Sequence, residues 1–169
     1  RPEPKKESYT NNAFLKKIMA RTVRIVCLTP SSGSSGSGFI WASSFSQETG
    51  NYLWVVATNA HVLVSDDPDN LTCHVYAPVG LDYQSEKNGK KAVILNIART
   101  NYPDVDFALL ATNGSGINTT GGLLPCEYNI EIGDPVHVIG YPAYGNASDF
   151  DASLTVTEGI ISGVINTKF

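Results

Sequence analysis

Charge is scarce in this chain, and positive charge is scarcer than negative. Only 17% of the 169 residues are Asp, Glu, Lys or Arg, and the formal net charge is −4. An average soluble domain has about 25% charged residues. No run of Lys or Arg gathers enough positive potential to hold a phosphate backbone, so we expect no nucleic-acid partner.

Long apolar runs are also lacking. No stretch approaches the roughly 20 residues that a membrane-spanning helix needs. The chain opens with Arg-Pro-Glu-Pro-Lys-Lys-Glu, the opposite of the apolar segment of a signal peptide. We expect a soluble chain whose length suits one folding unit.

Cysteine is rare and odd in number. Cys27, Cys73 and Cys126 show none of the paired spacings that are typical of zinc ligands or of a redox motif. At most one disulfide can form among them, and the pairing stays open at this point. We expect neither a metal nor a cofactor.

Short Val-, Ile- and Tyr-rich runs, separated by Gly, Pro, Asn and Asp, make up most of the chain. Such runs are typical of β-strands. Many of them without helices between them favour an antiparallel barrel or sandwich, so the fold class is predicted to be all-β. The predicted strands cover residues 22–28, 38–42, 52–57, 71–77, 92–98, 107–111, 135–140 and 154–165.

One helix is predicted, after a charged leader over residues 1–10. Asn11 or Asn12 can cap a helix over residues 11–21, whose apolar stripe consists of Phe14, Leu15, Ile18 and Met19. The remaining segments are connections. Residues 43–51, 82–91 and 113–123 are predicted to be exposed loops, and the Gly/Ser-rich residues 31–38 a tight turn between strands.

A single histidine follows one of the apolar strands. In residues 52–64 the strand gives way to small residues and then to His61. A histidine held there can turn one ring nitrogen toward a cleft and the other inward toward an acid, as a general base requires. A surface histidine without a role fits this local pattern equally well.

A carboxylate opens a later apolar strand. Asp106 stands between Val105 and the run Phe-Ala-Leu-Leu. A carboxylate embedded there needs a partner to offset several kcal/mol of desolvation, and a histidine N–H would serve. Asp104 is the alternative, although its place beside Pro103 suits a turn cap better.

Five segments carry a set of motifs in order along the chain. They are Gly36-Ser-Gly-Phe-Ile40, Thr58-Asn-Ala-His-Val62, Asp106-Phe-Ala-Leu-Leu110, Ile132-Gly-Asp-Pro-Val-His-Val-Ile-Gly-Tyr-Pro142 and Thr155-Val-Thr-Glu-Gly-Ile-Ile-Ser162. Together they resemble the motifs of the chymotrypsin-fold, trypsin-like serine peptidases, and within that family those of the HtrA (DegP-like) branch.

The resemblance implies two six-stranded Greek-key barrels with the active site in the cleft between them. It also implies hydrolysis of peptide bonds through a Ser-His-Asp triad, with His61 as general base and Asp106 as its orienting acid. The expected organisation is a leader over 1–10, a helix over 11–21, a complete first barrel over 22–112, a linker over 113–122 and an incomplete second barrel over 123–169.

The family's nucleophile is missing from this sequence. It lies in a Gly-Asn-Ser-Gly-Gly-Pro segment, which residues 1–169 do not contain. We expect the nucleophile serine and the oxyanion hole to lie beyond Phe169, so that this chain alone is inactive and has the missing C-terminal segment as a partner. Ser162 is a poor substitute because it falls in a predicted strand, and Ser35 and Ser37 are no better.

Two alternatives remain open at this level. A cysteine can occupy the unseen nucleophile position, and a pseudopeptidase or peptide-binding module of the same fold is the alternative function. The expected partner is a protein or peptide substrate lying extended in the cleft. Relatives in the family commonly work in the periplasm or outside the cell, so we expect a periplasmic or secreted protein, with a membrane anchor upstream of residue 1 as an option.

Three further side chains are assigned no chemistry. Trp41 and Trp54 are predicted to pack in the first barrel rather than to stack on a ligand. His137 alternates with valines in a strand and is predicted to be a structural or surface side chain.

Overall fold

The structure is a computed structural model that describes residues 13–63, 68–79, 84–85, 88–99, 105–114, 131–142 and 153–163. One α-helix, α1 (Ala13–Met19), precedes the strands, and two short 3₁₀ turns lie at Ala60–Leu63 and Pro68–Asn70. The strands are β1 (Thr22–Leu28), β2 (Gly33–Ser46), β3 (Asn51–Thr58), β4 (Thr72–Tyr76), β5 (Pro78–Val79), β6 (Gln84–Ser85), β7 (Lys90–Arg99), β8 (Asp106–Gly114), β9 (Pro135–Gly140) and β10 (Thr155–Ile160).

Six of these strands close into a barrel. Their order is β1-β2-β3-β8-β7-β4, and β1 also pairs with β4. β9 and β10 form a second sheet of two strands, and β5 pairs with β6. The predicted all-β class, with a closed six-stranded barrel, a second sheet and one short helix, is therefore confirmed.

The barrel interior is filled by alternate apolar residues, as the two-residue period of strands requires. The largest fully buried side chain is Trp54, so its predicted place in the barrel is confirmed. Other buried side chains around it come from β1, β2, β3, β4 and β8, among them Val23, Ile25, Ile40, Val56, Val75 and Leu110.

The outer face of β1 is buried as well. Thr22, Arg24 and Val26 alternate with the interior residues and are each 4% exposed. The second half of the chain reaches this side of the barrel, where the main chain of Tyr141, next to the end of β9, bonds to Ser37 of β2. The buried outer face of β1 therefore lies at the junction between the barrel and the second sheet.

β2 is much longer than predicted, and two predicted connections were wrong in consequence. Residues 31–38 are mostly strand, because β2 pairs with β1 from Gly33 onward and only Thr29–Ser32 forms the turn. The predicted loop over 43–51 shrinks to a turn that ends at Gly50, whose φ of +66° suits glycine. Pairing with neighbouring strands overrides the local preference of Gly and Ser for turns.

Trp41 is the other error in the barrel. Its side chain is 48% exposed, because the register between β2 and β3 shifts between Ile40 and Ala42 and leaves Trp41 outside the barrel. There the indole lies near the rings of Phe39 and Phe107, with centroids 6.1 and 5.9 Å away.

The other predicted elements occur in the predicted order with shifted ends, whereas the two-residue strands β5 and β6 were not predicted and β6 falls within the predicted loop over 82–91. Strands 22–28 and 135–140 have the predicted bounds, whereas within the described residues the last predicted strand covers only Thr155–Ile160. The helix ends at Met19 rather than at Arg21, and Thr22 Oγ1 donates to the Ile18 carbonyl oxygen near this end. The predicted cap at Asn11 or Asn12, the leader and most of the linker lie outside the described residues, so the domain bounds stay predictions. No described helix has the length and apolar character to span a membrane.

A disulfide joins Cys27 of β1 to Cys73 of β4. The two residues are directly opposite each other in the antiparallel pair and are buried in the barrel core. The single disulfide that the cysteine count allows therefore links β1 and β4, the two strands whose pairing closes the barrel.

Reduction of Cys27–Cys73 is expected to lower the free energy of unfolding by about 2–4 kcal/mol, because the bridge constrains a long loop of the unfolded chain. The two cysteines are 46 positions apart. Urea denaturation with and without reductant measures the difference, and thiol titration of the denatured protein before and after reduction verifies the redox state. Equal midpoints in the two conditions would contradict this role.

Candidate active site

His61 lies in the 3₁₀ turn Ala60–Leu63, which follows β3 after Asn59. Ala60, Val62 and Leu63 are buried in the barrel core and anchor the turn. The side chain of His61 is 68% exposed. The main chain of this turn is therefore held by apolar packing while the imidazole remains at the surface.

Asp106 is the first residue of β8, which pairs with β3. The register places Thr58 opposite Ala108 and Val56 opposite Leu110. The end of β3 and the start of β8 consequently lie at the same rim of the barrel. This pairing brings together His61 and Asp106, which are 45 positions apart in the sequence.

Both carboxylate oxygens of Asp106 bond to His61. The His61 main-chain N–H donates to Oδ1 at 2.8 Å, and the ring Nδ1 lies 2.5 Å from Oδ2. A carboxylate accepts only, so Nδ1 carries the proton and Nε2 is the unprotonated nitrogen of the neutral ring. The contact expected between these two residues is present, and Asp104 lies outside the described residues.

Asp106 is more exposed than predicted. Its side chain is 40% accessible, because β8 begins at the barrel rim and the preceding Val105 is itself exposed. The prediction of an embedded carboxylate was wrong. The histidine lowers the pKa of Asp106 below its usual 3.8, first through the side-chain hydrogen bond and then through the main-chain N–H. Asp106 is therefore ionised at neutral pH.

Asn59 is a site residue that the sequence analysis missed. Its side-chain Nδ2 donates to the main-chain oxygen of Asp106 at 3.1 Å, and its side-chain hydrogen bonding also contributes to the low pKa of Asp106. The Thr-Asn pair that precedes Ala-His in the motif was the available signal. Asn59 and His61 together hold Asp106 by its main chain and by its carboxylate.

The Gly36-Ser37-Gly38 segment of β2 supports the turn that carries His61. A Cβ on Gly36 would lie 2.5 Å from Val62 Cγ2, and one on Gly38 would lie 2.8 Å from the Ala57 oxygen. The neighbouring Ser34 Oγ donates to the Val62 oxygen at 2.6 Å. Gly36 is thus required by close packing against the turn, and Gly38 by close packing against β1 and β3, rather than by flexibility.

A cavity of about 570 Å³ opens beside Asp106. Its walls come from α1, from the outer face of the barrel and from β9, and Asn59 lines it together with apolar side chains such as Phe39, Phe107 and Ile139. The acid of the His61–Asp106 pair therefore faces a partly apolar space between the barrel and the second sheet.

The other residues considered from sequence do not join this pair. His137 of β9 lines the cavity, and its Nε2 lies 3.6 Å from Glu158 Oε1, which agrees with a structural or surface role. Ser162 is exposed and follows the end of β10, so its placement inside a strand was wrong. In the described ranges no three His, Cys, Asp or Glu side chains are grouped as metal ligands.

Comparison with known families agrees with this architecture. The profile of the Trypsin-like peptidase domain matches residues 36–168, which is more than half of the chain. The chain therefore belongs to the trypsin-like peptidase family, and the trypsin-like part of the resemblance is confirmed. No curated protein matches the chain.

His61→Ala is expected to raise the pKa of Asp106 toward 3.8, because it removes the ring hydrogen bond that lowers this pKa most. A depressed pKa makes the ionised Asp106 carboxylate stabilising above pH 3.8, and this stability is lost as the pH falls through its folded pKa. NMR titration of the Asp106 carboxyl carbon measures the change. His74→Ala, elsewhere in the barrel, is the matched control and should leave this pKa in place. An unchanged pKa in His61→Ala would refute the assigned contact.

Gly36→Ala is expected to destabilise the protein by about 1–3 kcal/mol, because the added Cβ must displace the buried, branched Val62. Gly36→Ala should cost less in a Val62→Ala background than in the wild type, because the smaller side chain at position 62 makes room for the added Cβ. Chemical denaturation measures both. Gly163→Ala is the control, since a Cβ there meets nothing within 4 Å, and it should change stability by less than about 0.5 kcal/mol.

Proposed function

We propose that this protein is a serine endopeptidase in which His61 is the general base and Asp106 orients it. The observation that carries the proposal is the double hydrogen bond from His61, through its main-chain N–H and its ring Nδ1, to the Asp106 carboxylate. Membership of the trypsin-like peptidase family supplies the reaction class. The order of the five motifs favours the HtrA-like branch within that family.

The pair suits proton transfer at Nε2. With the Nδ1 proton held by Asp106, Nε2 of the neutral ring accepts the proton of a serine hydroxyl as the oxygen attacks the scissile carbonyl carbon. The ring then donates that proton to the leaving amine as the C–N bond breaks. Because its pKa is lowered, Asp106 stays an anion. It stabilises the imidazolium that exists between these two proton transfers.

The nucleophile is proposed to lie outside residues 1–169. Residues 1–169 contain no counterpart of the family's Gly-Asn-Ser-Gly-Gly-Pro motif. We place the serine and the main-chain N–H groups of the oxyanion hole in sequence outside this range. Residues 1–169 by themselves would then bind a peptide without cleaving it.

The substrate is proposed to be an extended polypeptide. In the described part of the second sheet, β9 and β10 pair only with each other, so each strand has one edge that could accept a further strand. Main-chain pairing at such an edge binds a peptide with little dependence on its sequence, while side-chain pockets select residues.

A periplasmic or secreted location is part of the same proposal. The buried Cys27–Cys73 disulfide supports it, because disulfides form and persist mainly in oxidising compartments.

Replacement of either residue of the pair is expected to abolish most activity of the protein carrying the full reading frame. His61→Ala removes the base, and Asp106→Asn loses the anion that holds the tautomer, so we expect kcat to fall by about 10⁴-fold or more. The rate of hydrolysis of unfolded casein measures the activity. The unfolding midpoint of each variant measures whether its stability has changed. The controls are His74→Ala and Asp69→Asn, which make the same side-chain changes at positions outside the His61–Asp106 pair.

A fluorophosphonate label separates the enzyme from the alternative. The full reading frame should be labelled, and residues 1–169 should not. A full-length protein that binds peptides but neither reacts with the label nor hydrolyses them would be a pseudopeptidase, and the enzyme proposal would fail. Labelling of residues 1–169 would show that the nucleophile lies inside this range.

A further inference from the structure

Ser37 stands where the barrel, the His61 turn and the second sheet meet. Its carbonyl oxygen accepts a hydrogen bond from Thr58 Oγ1 at 2.8 Å. Its own hydroxyl accepts from the Tyr141 main-chain N–H at 2.7 Å and lies 3.3 Å from the Tyr141 carbonyl oxygen, to which it donates. One residue of β2 therefore bonds to the strand end that leads to His61 and to the end of β9.

The packing around this serine leaves little room for change. A Cβ on Gly140 would lie 2.6 Å from Ser37 Oγ. Glycine at position 140 is what lets the main chain of the second sheet approach the hydroxyl closely enough for both hydrogen bonds. Gly36 and Gly38, on either side of Ser37, meet the barrel equally closely.

The junction is partly shielded from water, which increases the energetic cost of losing its hydrogen bonds. Tyr141 and Arg24 are both buried, and Arg24 is the residue of β1 paired with Ser37. Burial raises the pKa of the Tyr141 hydroxyl, and the positive charge of Arg24 opposes the increase only in part. Loss of the Ser37 hydroxyl would remove the hydrogen bond that the main-chain N–H of the buried Tyr141 donates to it.

We propose that Ser37 is a positioning residue that holds the second sheet in one place against the part of the barrel that carries His61 and Asp106. The cavity beside Asp106 lies between these two parts, and Ser37 and Ile139 both line it. The Ser37 hydroxyl thereby sets the width of the cavity beside Asp106. The catalytic consequence rests on the proposed function, whereas the structural consequence does not.

Ser37→Ala tests the structural consequence directly. Hydrogen exchange at the Tyr141 amide should accelerate about tenfold, as expected for the loss of its hydrogen bond. The Gly133 and Ile161 amides, which bond within the second half to Ile161 and Asp134 oxygens, should change by less than about twofold. An unchanged Tyr141 rate, or an equal increase at all three amides, would overturn the proposal, since the latter indicates global destabilisation.

Two further variants sharpen the test. Ser35→Ala makes the same change on the same face of β2, two residues earlier, and should leave Tyr141 exchange unaltered. Gly140→Ala should accelerate exchange by itself, because its Cβ meets the Ser37 hydroxyl. In the Ser37→Ala background it should add much less than it does alone. Multiplicative effects of the two substitutions would show that the contact does not exist.

Activity gives the catalytic readout. In the protein that carries the full reading frame, Ser37→Ala should lower kcat about tenfold per folded molecule. The pKa of Asp106 should stay at its wild-type value, because the substitution does not touch the His61–Asp106 pair. A loss of folded protein with normal kcat would mean a merely structural role and would overturn the positioning assignment. If the wild-type protein hydrolyses no peptide, the proposed function fails, and the exchange rates still decide the role of Ser37 at the junction.

Discussion

The register between β3 and β8 is the constraint on which the site depends. It is set by apolar residues that face the barrel interior, such as Val56 opposite Leu110. A slip by one residue would turn these side chains outward, so the register is strongly specified. The same pairing places the turn after β3 beside the first residue of β8. Core packing thus determines the meeting of His61 and Asp106, although neither side chain is in the core.

The small residues at the start of β2 have a different function from the one their composition suggests. Gly and Ser over residues 33–38 form a paired strand whose side chains leave room for three neighbours: β1, the turn that carries His61, and the second sheet. Close approach of main chains is possible only where no Cβ intervenes. The motif is therefore best understood as a packing surface on which the parts of the site are assembled.

The His61–Asp106 pair owes its arrangement to geometry rather than to burial. Both side chains are well exposed, and a polar contact that is open to water contributes little to stability. The two hydrogen bonds and the support from Asn59 nevertheless define one orientation of the ring. Electrostatic stabilisation of a reaction gains strength when water is excluded. If the proposed function holds, a peptide bound in the cavity beside Asp106 would have this effect.

The alternation of apolar residues was sufficient to predict the longer strands and the all-β class, because side chains on a strand alternate between core and solvent, whereas the two-residue strands β5 and β6 were not predicted. The order of the motifs was sufficient to predict the trypsin-like family and to single out His61 and Asp106. The ends of β2 could not be predicted, since Gly and Ser favour turns unless neighbouring strands pair with them. Only the tertiary structure decided the pairing of Cys27 with Cys73, the exposure of Asp106 and the contacts of Asn59 and Ser37. Each of these depends on residues far apart in the sequence, which closure of the barrel and docking of the second sheet bring within hydrogen-bonding distance.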